Sequence, residues 1–470
     1  VLANYPVRDG RVANGVGLDT PTSLTNMLSW LDQEGYNLGP VPCPQSSDAL
    51  IEQLMKGRTN APEGLNRPPL DHLSLADYQL WWRTVPPQAQ RLIEKRWGAP
   101  DQACDLDGEE GFAIHGLRFG HVVVLLQPDR GYDPEQIADL HSPDLPPPHR
   151  YLAQYLWLRE QHRTQVMLHV GKHGSAEWLP GKGVGLSPSC GPALALGPIP
   201  HLYPFIVNDP GEGSQAKRRA QAVILDHLMP PIGRAGLHGP LQELEGLLDE
   251  LVEARLLGAE RTTVLETAVL ACLRKLNWPG LPGKDALRSG SEPLEPILDQ
   301  AETYLCELKE AQIRTGLHCY GQSPDEDTAL ELLVALARAP RGQWSGLTQA
   351  MAERLGLEFD PWCDEDGLEL SGKDRKILGD LGVSRFRRVG DGSAWLEQQA
   401  LLLCSRLIHG QNSPDLAAAF RSWPASAPGL RQLTEELWPR LERSAAAERS
   451  ALLRGLSGRK IAAGPSGAPS

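Results

Sequence analysis

The sequence predicts an α/β part with mixed sheets up to about residue 235, followed by a mostly α-helical part, in a multidomain chain. Two observations carry this. From the first residue, short β-permissive runs alternate with loops and amphipathic helices, the rhythm of an α/β layer. From Leu241 the character changes to Leu- and Ala-rich segments at 3.6-residue spacing (241–257, 262–276, 294–314, 326–338, 345–355, 393–408 and 428–456), broken by Pro/Gly loops. No internal repeat at fixed period is apparent. The expected division is 1–60, an α/β segment with a Gly-rich loop; 61–235, an α/β core carrying the site; 236–460, the helical region; and 461–470, a Gly/Pro/Ser linker.

In chain order, residues 1–6 (VLANYP) read as a short buried strand, and the glycine-rich RDGRVANGVGLDTP follows. Thr20-Pro21 then open an amphipathic helix to about Gly35. Residues 36–41 are the next strand and 48–56 the next helix. Asn14-Gly15 and Asp19 line a site or simply make a turn, which is what Gly, Asn and Asp do by default. Residues 71–97 alternate at helical spacing, and Trp81, Trp82 and Trp97 mark core. Residues 112–127 read as two strands about a turn near Arg118. The proline-stiffened HSPDLPPPHR feeds a helix over 151–161 with an aromatic face. Residues 166–169 form a strand, 183–200 a loop, and 203–207 another strand. The turn at 208–214 then leads into a helix that carries Lys217, Arg218 and Arg219 and continues to about Leu228, where Pro230-Pro231 end it.

The bulk numbers bound the function. A length of 470 residues accommodates two to four domains, and 41% hydrophobic with 22% charged residues is ordinary for a globular protein. With 46 basic against 59 acidic residues the net charge is −13, which argues against a general nucleic-acid surface, so any anion site must be local. The eight cysteines include no C-x-x-C pair, the pattern of a reduced, cytoplasmic protein. No apolar run is long enough to span a bilayer, and none has signal-peptide form. Val1 opens directly into a strand-like run, as a fragment of something longer or a processed N-terminus would.

Chemistry concentrates in residues 166–182, VMLHVGKHGSAEWLPGK. His169, His173 and Glu177 stand at four-residue steps with Lys172 and Lys182 beside them. Imidazole and carboxylate together suit a divalent first-row metal or proton transfer. Against a permanent cage, Gly171 and Gly174 break the continuous helix that this spacing would need to share a face. H-E-x-x-H is absent, which argues against a zinc protease. The second constellation is 208–219. A Gly/Ser-rich turn with Asn208 and Glu212 precedes Lys217, Arg218 and Arg219, giving either an anion site at a helix N-terminus or a solvated helix face. No Walker sequence G-x-x-x-x-G-K-[ST] occurs.

HVGKHGSAEWLPGK and LYPFIVNDPGEGSQAKRRAQAVILDHLMPP closely resemble the large subunits of aerobic cobaltochelatase, the CobN family, which is homologous to the magnesium chelatase large subunits. LANYPVRDGRVANGVGLDTP, FGHVVVLLQPDRGYD, HSPDLPPPHRYLAQYLWLRE, YLCELKEAQIRTGLHCYG and GPSGAPS extend the resemblance in family order over essentially the whole chain, as a central portion of a protein more than twice as long. E-W-L-P at 177–180 and Y-P-F-I-V-N-D-P-G-E at 203–212 look cobalt-type, where magnesium relatives read closer to E-F-M-P-G-K. Ser175-Ala176 departs from the Asn-Leu often found in cobalt members. The resemblance implies ATP-dependent insertion of Co²⁺ into hydrogenobyrinic acid a,c-diamide in cobalamin biosynthesis. Co²⁺ is then the substrate metal, while ATP and Mg²⁺ are used by two AAA+-type partner subunits, an ATPase and its integrin-like-domain partner. On that footing Glu177, His173 and His169 are expected to accept protons or hold Co²⁺ in transit. Lys172, Lys182, Asn208, Glu212, Lys217, Arg218, Arg219, Asn14 and Asp19 are expected to bind the tetrapyrrole. Insertion of Mg²⁺ into protoporphyrin IX and a non-catalytic tetrapyrrole-binding fragment are the alternatives.

Overall fold

The computed structural model describes residues 1–4, 9–104, 111–131, 142–171, 174–207, 209–231, parts of 241–301, 316–342, 344–364, 368–383 and 389–461. Lys172, His173 and Asn208, most of the expected helix 294–314 and the 462–470 tail lie outside these residues. Two compact units emerge: Val1–Met229 with His318–Pro324 and the chain from Arg440, and Pro230–Leu317 with Asp325–Pro439.

In the first unit, α1 (Thr20–Gln33) starts where the sequence places it. Asp19 accepts the Thr22 amide at 3.0 Å, and Pro21 sits in the first turn, where a missing N–H costs nothing. Ser46 caps α2 (Ser47–Lys56) in the same way, whereas the strand expected at 36–41 is loop. The stretch 71–97 divides into β1 (Asp71–Ser74), α3 (Leu75–Trp82) and α4 (Pro87–Trp97), because Ser74 caps a new helix and Pro86-Pro87 interrupt it. β1 pairs antiparallel with β2 (Gly111–Ile114). β3 (Gly116–Phe119) and β4 (Val122–Leu125) form a hairpin that turns at Gly120, whose φ is +53°, with Arg118 inside the strand rather than at the turn. α5 (His149–Glu160) is buried at every position from 151 to 158, so its aromatic character reflects enclosure on all sides.

β5 (Met167–Leu168), α6 (Gly191–Leu196), β6 (His201–Ile206), α7 (Pro210–Arg219) and β7 (Val223–His227) complete the α/β layer. The strands run parallel in the order β5-β6-β7, and Leu2 bridges in parallel to both Val170 and Leu126. The helix expected to reach 228 stops at Arg219. Gln221 takes a left-handed φ of +50°, and the β-branched Val223 and Ile224 pair with β6 instead.

The second unit contains α8 (Ala259–Lys275), α9 (Glu326–Ala337), α10 (Leu347–Leu355), α11 (Gly372–Asp380), α12 (Val389–His409), α13 (Ala418–Arg421) and α14 (Pro428–Gln432). Leu333, Met351, Leu396, Leu403 and Phe420 lie in one core. A π-helical turn, Leu433–Leu437, leads into α15 (Trp438–Leu456). The helical region is therefore not one block to 460, since 318–324 and most of α15 return to the first unit. There, Tyr320 and Leu452 pack in one cluster with Leu2 and Leu202.

The return is fixed by Glu448, which is 5% exposed. Its carboxylate accepts from His318 Nε2 at 2.8 Å, the Gly321 amide at 2.7 Å and the Leu228 amide at 3.0 Å. His227 stacks on His318 with centroids 5.7 Å apart, and the Tyr320 hydroxyl donates to the Glu448 carbonyl. A buried carboxylate with three donors satisfies the condition under which such burial is tolerated.

Burial drives His115 from 6.5 to about 3, and His201 and His227 each to about 4. The unfolded chain protonates these rings near their ordinary value and the folded chain does not. Their contribution is therefore complete above the ordinary value and lost as pH falls toward the folded one, on the order of 3 kcal/mol per ring. The melting temperature should hold steady above about pH 7 and fall steeply between about pH 6.5 and 4.5. Scanning calorimetry across that range checks this, and a flat profile would contradict it.

Candidate functional site

Parallel strands leave a crevice at their carboxyl ends, where loops to the next elements diverge. Here the loop after β5 begins with His169, and the connection after β6 enters α7 at Asp209-Pro210. The β5 loop turns at Gly171, whose φ is +101°. A side chain there would also meet the Asn14 carbonyl at 2.7 Å and Ala3 Cβ at 2.8 Å. Glycine is required on both counts. Asn14 is thus brought to this loop through its backbone, while Asp19 serves as the cap of α1.

Past the turn, Ala176–Trp178 make one 3₁₀ turn that Pro180 prevents from continuing. This turn carries Glu177 inward, to 2% exposure. His169 is also buried. A side chain on Gly174 would meet Glu177 Oε2 at 2.9 Å and His169 Cε1 at 3.1 Å, so carboxylate and imidazole edge border the same gap. Sequence spacing alone brings them together only on a helix; the structure does it with a broken loop.

Three anchors hold that loop. The Tyr203 hydroxyl accepts the Gly174 amide and lies 3.5 Å from Glu177 Oε1. Ser175 Oγ meets Gln127 Nε2 at 2.7 Å and the Tyr151 hydroxyl at 3.0 Å, tying the loop to α5. Arg219, 5% exposed, donates to the Leu179 carbonyl at 2.6 Å and the Lys182 carbonyl at 3.1 Å. Burial, reinforced by the Glu177 carboxylate, holds the Tyr203 phenol well above its usual range, so it stays protonated and able to donate.

The 208–219 constellation is rearranged relative to its sequence reading. Asp209 caps α7 by accepting the Glu212 amide at 3.3 Å, and the three cations fall in the last turn rather than near the Gly/Ser turn. They favour the C-terminal end of the helix dipole. Arg219 turns inward to the loop, while Lys217 and Arg218 are exposed, as is Lys182. Glu212, in the first turn of α7, is close enough to act electrostatically on Tyr203.

Sequence reasoning does not single out Tyr203, Gln127, Tyr151 or His201 as site residues. The only signal is alternation in HLYPFI, which places His201, Tyr203 and Phe205 on one face of β6. The His201 ring stacks on Tyr203 at 5.5 Å, and His169 lies 4.7 Å from the same ring. Among the described residues no three His, Cys, Asp or Glu side chains converge as a metal cage. A cavity of about 570 Å³ bordered by Leu24, Met27, Val122 and Leu452, with Arg118, His121 and His162 also on its wall, holds none of the candidate residues. No helix among the described residues is long and apolar enough to cross a membrane.

The chain is 46% identical over 476 residues to the aerobic cobaltochelatase subunit CobN of Pseudomonas aeruginosa, covering 100% of this chain and 37% of that protein. It is 32% identical over 329 residues to a magnesium-chelatase subunit of Chlorobaculum parvum, covering 69% of this chain and 25% of that one. The solved catalytic subunit of cobaltochelatase from Mycobacterium tuberculosis superposes with a TM-score of 0.58 at 32% identity, over 97% of this chain and 36% of that one. The chain thus spans little more than a third of the length of its cobaltochelatase relatives. The model of the CobN/Magnesium Chelatase family matches residues 1–470, and the chain belongs to that family.

Proposed function

We propose that this chain is the tetrapyrrole-binding, metal-inserting region of an ATP-dependent cobaltochelatase, placing Co²⁺ in hydrogenobyrinic acid a,c-diamide. The observation that supports this best is the gap at Gly174, where a buried carboxylate and an imidazole edge meet on an anchored loop at the carboxyl end of a parallel sheet. Higher identity to a cobalt-type than to a magnesium-type relative favours the corrin precursor over protoporphyrin.

Insertion breaks a ring N–H bond as nitrogen–metal bonds form and Co²⁺ sheds water. The site must supply a proton acceptor and temporary ligands at one place. Glu177 is the acceptor or last protein ligand, with His169 and His173 assisting. Because Glu177 is buried, water screens its surroundings little, which strengthens the pull of a carboxylate there on an incoming cation. Lys217, Arg218, Lys182 and Lys172 are the cations for the macrocycle's peripheral carboxylates. Asn208 and Glu212 shape the loop after β6. ATP hydrolysis belongs to two AAA+-type partner subunits, in keeping with the lack of a Walker sequence in this chain.

Three substitutions, made in the full-length protein and assayed with its partners, test the reading. Glu177→Gln should slow Co²⁺ insertion by roughly 10²–10⁴-fold, the usual worth of a general base, with tetrapyrrole affinity held within about twofold. Normal insertion by this variant would sink the catalytic assignment. Gly174→Ala forces a methyl between Glu177 and His169 and should slow insertion while fluorescence-quenching titrations still report tetrapyrrole binding. Combined Lys217→Ala and Arg218→Ala should weaken tetrapyrrole binding about tenfold and make it less salt-sensitive. Protoporphyrin with Mg²⁺, offered in the same assays, separates the magnesium reading by its turnover.

A further inference from the structure

The tetrapeptide GVGL occurs twice in the chain, at residues 15–18 and 183–186. Both copies fold into the same turn. The second glycine is left-handed in each, with φ of +71° at Gly17 and +59° at Gly185, a backbone that glycine adopts without strain. Each turn holds its valine out to water: Val16 is 47% and Val184 65% exposed. The leucine that follows turns back, buried at Leu18 and partly buried at Leu186.

The two turns stand at the two ends of the loop that carries Glu177. The Asn14 carbonyl, beside the first turn, borders Gly171, where that loop begins. The second turn follows directly on Lys182, where the loop ends. Both are fixed at the base. The Gly17 carbonyl accepts the His318 amide at 2.9 Å. Cys190 Sγ accepts the Lys182 and Ser187 amides at 3.4 and 3.3 Å, and Arg219 holds the Lys182 carbonyl. A single exposed valine is ordinary on a protein surface. Two copies of one turn, each presenting a valine at an end of the same loop, form a repeated arrangement with a shared use.

We propose that Val16 and Val184 are the apolar contacts on which the face of the tetrapyrrole rests when its centre stands over the Glu177 gap. This rests on the reading of that gap as the insertion site. The N–H groups that must be reached point to the centre of the macrocycle, and its edge is occupied by substituents. A group on the protein therefore meets them only through the ring's face, and the rest of that face spreads over the rim of the gap. A largely hydrocarbon face is matched by an apolar rim. The carboxylates at its edge are matched by cations, and the exposed Lys182 adjoins the second turn. Valine is stiff at χ1, so one valine on an anchored turn offers a fixed apolar surface without the rotamer loss of a longer side chain.

The test is tetrapyrrole titration of the full-length protein by fluorescence quenching, followed by Co²⁺-insertion kinetics with its partner subunits. Val16→Ser and Val184→Ser should each weaken binding about fivefold, and the double variant about 25-fold. The loss should appear in KM for the tetrapyrrole and vanish at saturation, as the loss of a contact made equally in ground and transition states does. It should leave the salt dependence of binding as it was, which the loss of a cation would not. Leucine at either position returns the apolar surface and should recover the affinity lost to serine. Val264→Ser, on a valine of α8 that is 69% exposed, serves as the control and should change nothing. Parental affinity in the double serine variant overturns the proposal, and so does a loss that leucine fails to recover. Glu177→Gln run alongside separates the two readings. If it inserts Co²⁺ normally, the reading of the gap fails and this proposal with it. If it is inactive while the double serine variant binds as the parent does, only the valine contacts fail.

Discussion

Carrying a carboxylate out of water costs several kcal/mol unless hydrogen bonds replace the lost hydration. That constraint on Glu177 explains the construction around it. The residue sits on a single 3₁₀ turn with little internal hydrogen bonding of its own, so the turn must be held from outside. Tyr203 holds its start, Ser175 ties it to α5 and Gln127, and Arg219 collects the two carbonyls that follow. The glycines at 171 and 174 are the spaces that let these pieces approach. The burial of one carboxylate is thus tied to the sheet edge, the helix end and the breaks in the chain together.

Much of this was legible in the sequence because the informative signals were local. Gly171, Gly174 and Thr20-Pro21 act on their own neighbours, so the broken loop and the start of α1 follow from residue chemistry, whereas Asp19, read as a site or turn residue, proves to be the cap of that helix. The α/β-then-helical order was equally readable from periodicity. What was not legible depends on pairing at a distance. Val223 and Ile224 look helical after Lys217–Arg219 until β6 offers them a ladder. Arg219 looks like its exposed neighbours until the carbonyls of Leu179 and Lys182 turn it inward. Tyr203 reads as core packing, and only its 26-residue reach to Glu177 shows another use.

The same distinction separates the two kinds of helix in the chain. An amphipathic pattern reports that one face is buried but not what buries it. α9, α10 and α12 share a core with their sequence neighbours. α15 has a similar pattern, yet Leu452 packs with Leu2 and Leu202, more than two hundred residues away in the chain.

Glu448 gives that separation a temporal meaning. Its carboxylate joins the end of β7, the short segment at 318–321 and α15, three stretches that leave the ribosome far apart. Local contacts form early and non-local ones wait for their partners. Residues 1–229 are synthesised well before the clasp is complete, while the helices between 325 and 439 already have neighbours to pack with. The α/β unit that carries Glu177 is thus completed only once α15 has been made.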